Sequence, residues 1–216
     1  AVLLLRLAAP LQAWGSSSKF IVHSTEREPT KSGVIGMIAA ALGNQRNDDP
    51  QKLVRLQRSV LAFVADKEGV LLKDFHMVAG YKIADCYSSV IICQTSVFLV
   101  VNLSDDKSLL ESIASALQNP VYPLYLGRKS CPPTLPIVLG VKGEDILTAL
   151  KTEPYLYKNA HRKSVRISYE VTSGGAMVQD IPLSFSQLHR KHGWRMKREE
   201  LLVVDSNPEH DAFSKL

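Results

Sequence analysis

The order of apolar runs over the first two thirds of the chain constrains the fold most. Strand-like runs of apolar residues lie at 2–7, 60–65, 96–103 and 136–141, and a shorter run at 70–72 opens a less regular stretch between the second and third of these. One helix is predicted after the first run and another before the last, so the order is β-α-β-β-α-β. That order is typical of a split βαβ arrangement. It predicts an α+β protein with a ferredoxin-like (RRM-like) core, two helices on one face of the sheet and the other face free.

Capping residues predict where the helices begin and end. Ser32 is the predicted N-cap of a helix over residues 33–42, and Gly43 is the predicted left-handed residue that ends it. Asp49-Pro50 predicts the start of a second helical stretch. The later helix is predicted to begin at Ser104-Asp105-Asp106 and to end at Asn119-Pro120.

The pattern changes beyond residue 143. A short helix is predicted over 145–151, and the alternating segment 165–171 is predicted to pair with 176–181 through a turn at Ser173-Gly174-Gly175. We therefore predict a core over residues 1–142, with an inserted hairpin region near 74–95. A small β-rich, basic C-terminal region is predicted over 143–216.

Charge and composition restrict the possible partners. Lys plus Arg number 26 against 21 Asp plus Glu, a net charge of +5, which allows a polyanionic partner without requiring one. Residues 181–198 contain five Lys or Arg and no acidic residue. The three cysteines form no Cys-x-x-Cys pair, so neither disulfides nor structural zinc is expected. No apolar run is long enough to span a bilayer and no leader is seen, so we expect a cytoplasmic protein without metal or cofactor.

The segment from residue 122 to 133 is the strongest candidate for contact with an anion. Its prolines oppose a helix, and Gly127 allows a tight turn directly before the cations Arg128 and Lys129. Such a loop can present positive charge to phosphate. The alternative is an ordinary connection between helix and strand, with solvated basic residues.

The start of the first helix is a second candidate. Free amides near Ser32 and Gly33 would point outward at a helix N-terminus, where the dipole favours phosphate, and Lys31 would add a mobile cation. The alternative is a plain helix start with a solvated lysine. Trp14 has a similar alternative as a core aromatic residue. A nucleotide-binding P-loop is not indicated, because Lys31-Ser32 precede the glycine.

Catalysis has one candidate set. A metal-independent ribonuclease needs a general base and a cation, and His76 near Tyr81 and Lys82 would supply them. The spacing carries no catalytic signature, and a sporadic histidine is more often structural. We therefore predict no catalytic residue, with an endoribonuclease as the alternative.

Four ordered blocks of sequence resemble the CasD family, the handle-binding subunit of type I-E CRISPR Cascade complexes within the RAMP superfamily. A strand ending in Pro and then L/M-Q-A-W-G is matched by residues 2–15, and P-T-R/K-S-G-helix-L-G-x-x-R-x-D-D by residues 29–49. D-x-H-x-V is matched by residues 74–78, and Y-L-G-R-R/K-S-C-P by residues 125–132.

The resemblance implies a non-catalytic RNA-binding subunit. It would bind the 5-prime handle of the CRISPR RNA, cap the filament of backbone subunits and contact the large subunit that inspects target DNA, in support of antiviral defence. Together with the loop arguments, it selects a set of candidate RNA-binding residues: Trp14, Gly15, Arg27, Lys31, Ser32, Gly33, His76, Tyr81, Lys82, Gly127, Arg128, Lys129 and Ser130.

Members of the family carry a thumb-like hairpin between the second and third core strands. In this chain residues 74–95 are short for that element. We therefore expect the RNA contacts of the thumb to be reduced, or part of the loop to be missing from the sequence.

Overall fold

The computed structural model describes residues 1–15, 22–47, 49, 51–67, 69–79, 84–102, 106–153, 164–186 and 188–203. The described residues form nine strands: β1 (Val2–Gln12), β2 (Val22–His23), β3 (Val60–Lys67), β4 (Val70–Ala79), β5 (Ala84–Asn102), β6 (Val138–Lys142), β7 (Ser164–Val171), β8 (Ala176–Ser184) and β9 (Lys191–Val203). They also form four helices: α1 (Lys31–Ala41), α2 (Gln51–Gln57), α3 (Lys107–Gln118) and α4 (Ile146–Thr152).

All the strands belong to one sheet. Its order is β6-β1-β5-β3-β7-β9-β8, every neighbouring pair on this path is antiparallel, and β2 and β4 also pair with β5. Strand β7 pairs with β3, so the strands beyond residue 143 continue the sheet of the first 142 residues. The boundary near residue 142 stays a prediction, with the two regions sharing this sheet.

Helices cover both faces of the sheet. On one face Leu3, Leu5 and Leu7 of β1 pack in a core with residues of α1 and α3. On the opposite face Val2 and Leu4 pack in a second core with Ala149 of α4 and residues of β3 and β7. The prediction of a free second face was wrong, because the short helix beyond residue 143 returns to cover it.

The first helix begins earlier than predicted. Its N-cap is Thr30, whose side-chain oxygen accepts a hydrogen bond from the Gly33 amide at 3.2 Å, and helical residues begin at Lys31. Ser32 lies inside the first turn, so its prediction as N-cap was wrong. The predicted end is confirmed: Gly43 has φ +81°, and the amides of Gly43 and Asn44 donate to Ala40 and Ala39.

The two strands after β3 are longer than the apolar runs predicted. Strand β4 reaches Ala79, and β5 begins at Ala84 instead of residue 96. They pair continuously from Val70–Cys93 to Ala79–Ala84 and form an arm of the sheet, in which β2 also pairs with β5 at Ser88 and Ser89. Polar residues interrupt the apolar runs along this arm, so periodicity did not reveal it. Tyr81 and Lys82 lie outside the described residues.

The predicted pairing of β7 with β8 was wrong. Both strands pair with β9, which lies between them, and Met196 of β9 pairs with Val171 on one side and Met177 on the other. The connection at 172–175 crosses β9 closely, since a Cβ on Gly175 would lie 2.6 Å from the Lys197 carbonyl oxygen. The glycines permit this crossing instead of a tight hairpin turn.

Candidate nucleic-acid interface

The loop around Gly127 is held by backbone hydrogen bonds. The Ala13 amide donates to Leu126 at 3.1 Å, the Leu126 amide to Cys131 at 2.7 Å, and the Cys131 amide to Arg128 at 2.9 Å. Gly127 has φ +93°, and a Cβ there would lie 1.6 Å from the Ala13 carbonyl oxygen. The predicted tight turn at this glycine is confirmed, and the turn fixes Arg128 and Lys129 at the end of β1.

The segment leading to this loop is attached to the end of α1. The amides of Val121 and Tyr122 donate to the carbonyl groups of Ala41 and Ala40 at 3.1 and 3.3 Å. These are carbonyls that a helix C-terminus leaves without intrahelical partners. The attachment places Tyr122 and the loop that follows beside α1.

A cleft of about 690 Å³ lies between the Gly127 loop, α1 and the segment joining β8 to β9. The described residues that line it include no acidic side chain, and they supply these cations and aromatic rings: Arg46, Arg128, Lys129, Arg190, Tyr122, Tyr125 and Phe185. Cations can neutralise phosphates, and aromatic rings can stack on unpaired bases. The cleft therefore has the chemistry of a site for single-stranded nucleic acid.

His192 adds a polar group to the same cleft. Burial, and then the neighbouring Arg190 cation, lower the pKa of its imidazole below the ordinary value. The ring is therefore neutral at neutral pH and offers one hydrogen-bond donor and one acceptor.

Seven of the predicted residues line the cleft: Trp14, Gly15, Ser32, Gly33, Gly127, Arg128 and Lys129. Arg27 and Ser130 are exposed but do not line it. His76 belongs to β4 in the arm, where its side chain is outside the described part of the structure.

Sequence reasoning missed several cleft residues, although each lay in a segment that it singled out. Arg46 belongs to the block with the P-T-R/K-S-G motif, and Tyr122 and Tyr125 lie just ahead of Gly127. Arg190 and His192 lie in the basic run at 181–198. What was missing was a way to decide which members of each segment face the cleft.

The Trp14 ring is part of the core. The residue is 1% exposed, and its indole nitrogen donates to Gln12 Oε1 at 2.9 Å. A Cβ on Gly33 would lie 2.7 Å from the ring atom Cε3, so α1 begins in direct contact with the indole. The prediction of Trp14 as an RNA-contacting residue is corrected for its ring, because the helix covers it.

Lys31 is buried beneath the cleft. It is 2% exposed, and its Nζ lies 3.1 Å from Glu170 Oε2. Burial lowers the pKa of Lys31, and the Glu170 carboxylate partly opposes this effect. The prediction of a mobile cation for phosphate was therefore wrong, since the ammonium group faces an internal carboxylate.

The start of α1 already has an anion of its own. The Lys31 amide donates to Asp180 Oδ2 at 2.8 Å, and the Asp180 carboxylate also accepts from Arg195 Nε and Nη2 at 2.6 and 2.8 Å. Burial alone would raise the pKa of Asp180, but the hydrogen bonds and positive charge of Arg195 hold it below its ordinary value. The predicted phosphate position at this helix start is filled by a carboxylate of the same chain.

A second cluster of charges lies next to this one. Glu28 is buried and accepts from Arg166 Nη1 at 2.7 Å, from Lys197 Nζ at 2.7 Å and from Ser168 Oγ at 3.1 Å. We call the charged residues of both clusters the entrance network: Glu28, Lys31, Arg166, Glu170, Asp180, Arg195 and Lys197. Two cations of the basic run are thus neutralised internally, whereas Arg190 lines the cleft.

The described residues also bear on two other classes of site. Within the described ranges, no group of three or more His, Cys, Asp or Glu side chains is arranged to hold a metal ion. None of the helices described is both long enough and apolar enough to cross a membrane.

Comparisons with known proteins agree on one family. The family model described as CRISPR-associated protein (Cas_Cas5) matches residues 2–198. "CRISPR system Cascade subunit CasD" of Escherichia coli (strain K12) is 35% identical over 157 residues, which cover 64% of this chain and 70% of that protein. The solved "Crystal structure of Cas protein" is 33% identical with a TM-score of 0.77, covering 97% of this chain and 100% of the other. A chain of "CRISPR RNA-guided surveillance complex" is 29% identical with a TM-score of 0.82, covering 94% and 91%.

Proposed function

The chain belongs to the CasD/Cas5 family of CRISPR-associated proteins, and we propose that it is the subunit of a type I-E Cascade complex that binds the 5-prime handle of the CRISPR RNA in the basic cleft. The observation that carries this proposal is the composition of the cleft. Cationic and aromatic side chains line it, and the described lining has no carboxylate.

The cleft suits a single strand better than a duplex. Its aromatic residues Tyr122, Tyr125 and Phe185 can contact the faces of unpaired bases, which a duplex keeps stacked inside. Neutral His192 and the hydroxyl groups of the lining can hydrogen-bond to base edges or 2-prime hydroxyls. The cations on either side would then follow the phosphates of the strand.

The arrangement of the sheet supports a ferredoxin-like core. Strands β6, β1, β5 and β3 lie in the order fourth, first, third and second of the six-element core, and α1 and α3 lie in the two crossovers. All neighbouring pairs among these strands are antiparallel. Strands β7, β9 and β8 extend this core as the C-terminal region.

The protein is proposed to act without cleaving RNA. Binding to the cleft requires cations, aromatic faces and hydrogen-bonding groups, all of which are present. The further partners proposed are the backbone subunit, the large subunit and, nearby, target DNA. The cytoplasm is the expected compartment. The support for these partners is family membership and the similarity to a chain of a solved CRISPR RNA-guided surveillance complex.

The test compares two pairs of charge deletions in binding to repeat-derived RNA. Arg128→Ala with Lys129→Ala removes two cations of the cleft, and Arg55→Ala with Lys107→Ala removes two exposed cations of α2 and α3 outside it. We expect the cleft pair to weaken binding and to reduce the slope of log affinity against log salt by about 0.7 for each phosphate that is no longer neutralised. The control pair should leave the slope unchanged.

Equal slopes for both pairs would show that the cleft does not hold the phosphates. The same incubations, run on a denaturing gel with and without divalent metal, test catalysis. We expect intact RNA. Cleavage at one defined phosphodiester bond that disappears in His192→Ala or His76→Ala would replace the proposed role by an endoribonuclease.

A further inference from the structure

We infer that the entrance network fixes the position of the cleft wall that carries Arg190 and His192. Asp180 and Arg195 are therefore positioning residues for RNA binding. This inference rests on the proposed function of the cleft. It concerns residues that the cleft does not include.

The cleft has two walls that are attached to the molecule in different ways. The wall with Gly127, Arg128 and Lys129 is joined to β1 by hydrogen bonds between backbone groups. The opposite wall, with Phe185, Arg190 and His192, comes from the end of β8, the beginning of β9 and the segment between them. We call these the Gly127 wall and the Arg190 wall.

The ion pair of Asp180 and Arg195 lies at the base of the Arg190 wall. Asp180 is in β8 before the wall segment, and Arg195 is in β9 after it. Two short hydrogen bonds, of 2.6 and 2.8 Å, join them. The ion pair therefore links β8 to β9 on either side of the segment that forms the wall.

The same carboxylate joins this base to the floor of the cleft. Asp180 accepts the Lys31 amide at 2.8 Å, and Lys31 Nζ lies 3.1 Å from Glu170 of β7. The next residues of α1, Ser32 and Gly33, line the cleft. The distance between the floor and the Arg190 wall is therefore set by Asp180, Lys31 and Glu170, which do not line the cleft themselves.

This wall also has contacts that involve no charge. Gln57 Nε2 donates to the Pro182 carbonyl at 2.7 Å, and Phe185 lies over Gly36, where a Cβ would be 3.5 Å from the ring. Strand β8 is the last strand of the sheet path and pairs there with β9. Removal of the Asp180 carboxylate breaks the link between this wall and the start of α1, so we expect the wall to move.

Burial separates this role from direct binding. Arg195 and Asp180 expose 3% and 6% of their side chains, so neither can reach a phosphate. Buried ion pairs are screened by salt much less than exposed ones. The network can therefore hold the wall in place at salt concentrations that weaken RNA contacts.

The experiment is a double-mutant cycle on RNA affinity. Asp180→Asn is combined with Arg190→Ala and, separately, with Arg128→Ala, and all variants are first checked for a cooperative thermal transition. In the wild-type background each cation deletion should reduce affinity on the order of tenfold. With Asp180→Asn, Arg190→Ala should cost little more, whereas Arg128→Ala should keep its full effect. A purely structural defect would not distinguish the two cations.

Two further variants keep the test decisive if Asp180→Asn does not fold. Arg195→Lys keeps the charge but removes the paired hydrogen bonds, and Glu170→Gln weakens the less buried partner of Lys31. Both should reduce the effect of Arg190→Ala in the same direction. Arg55→Ala, which removes an exposed ion pair with Asp106, is the matched control. Full additivity with Arg190→Ala in these backgrounds would overturn the inference.

Hydrogen exchange without RNA separates this inference from the proposed function. In Asp180→Asn the amides of residues 188–193 should exchange faster than in the wild type, while those of residues 126–131 should keep their rates. If the wild type binds no RNA, the proposed function fails, and the exchange rates alone decide whether the network positions the wall. Equal rates at residues 188–193 would refute that positioning.

Discussion

The Gly127 loop and the start of α1 have similar local sequences and opposite environments. Each places a lysine within two residues of a glycine, and each was predicted to present positive charge to phosphate. At the loop, Lys129 is exposed and Arg128 lines the cleft. At the helix, Lys31 is buried and the amide is bonded to Asp180.

The difference between them lies in distant residues. The Gly127 loop is joined to Ala13 by a backbone hydrogen bond, and Lys129 stays exposed there. The start of α1 is contacted by Glu170 and Asp180, which lie 139 and 149 residues after Lys31 in the sequence. At the start of α1, carboxylates of the same chain therefore occupy the position that the amides and the lysine would offer to an external anion.

The largest expected effect comes from charge reversal at the two lysines. Lys31→Glu places a carboxylate beside Glu170 and Asp180, and removing one partner of a buried ion pair costs about 3–5 kcal/mol of folding free energy. Lys129→Glu, on the exposed loop, should change stability by less than about 0.5 kcal/mol. Denaturant unfolding measures both. If the double variant Lys31→Glu with Glu170→Lys regains part of the lost stability, the pairing of these two residues is confirmed. Equal stability of Lys31→Glu and Lys129→Glu would contradict the difference between the two sites.

The next effect concerns two of the glycines that line the cleft. Gly127→Val forces a branched residue to φ +93° and places its Cβ against the Ala13 carbonyl. Backbone strain alone costs about 1–3 kcal/mol. Gly36→Ala meets the Phe185 ring at an ordinary distance of 3.5 Å and should be neutral, or stabilising by up to about 1 kcal/mol as a helix residue. Unfolding free energies of the two variants provide the comparison, and similar values would contradict it.

A smaller effect distinguishes the two hydroxyl groups at the helix start. Thr30→Ala should cost about 0.5–2 kcal/mol, because its oxygen accepts the Gly33 amide as N-cap. Ser32→Ala should cost less than Thr30→Ala, since the Ser32 hydroxyl contacts only Thr30, at 3.4 Å, among the bonds described. Thermal melting of the two variants measures this difference. If Ser32→Ala destabilised the protein more than Thr30→Ala, Ser32 would be the N-cap after all.

The smallest effect is a dependence on pH. The folded pKa of Asp180 lies below its ordinary value of 3.8, so its contribution to stability is complete above that value and disappears as pH falls through the folded pKa. The stability difference between wild type and Asp180→Asn should therefore be constant from about pH 5 to 7 and shrink below about pH 4. The difference between wild type and Lys129→Ala should stay flat over the same range, as chemical denaturation at each pH would show.

Local patterns predicted much of the fold. The helix start at Asp106 and the stop at Asn119-Pro120 predicted α3, and Gly43 predicted the end of α1, because these signals act between neighbouring residues. Asp145 likewise marks the start of α4. The strand order β7-β9-β8 was missed, because a turn at glycines permits either a hairpin or a crossing.

The candidate site was predicted in part for the same reason. The turn at Gly127 follows from local geometry, so the loop was found. The burial of Trp14 and Lys31 depends on Gly33 and on strands late in the chain, which spacing alone does not reveal. Arg190 was predicted only as one cation of a basic run. To predict that Arg190 lines the cleft while Arg195 and Lys197 form internal ion pairs, one must know the alternation of β9 and the positions of Asp180 and Glu28.

The entrance network also sets an order for biosynthesis. Glu28 and Lys31 leave the ribosome early, whereas their partners at residues 166–197 are translated more than 130 residues later. Until then the start of the first helix carries charges that have not met their counterions, and the long separation makes closure of these contacts a late event. A chain that stops before Arg166 would lack every partner that Glu28 and Lys31 have in the entrance network. The N-terminal two thirds therefore cannot complete their structure during translation before the C-terminal strands arrive.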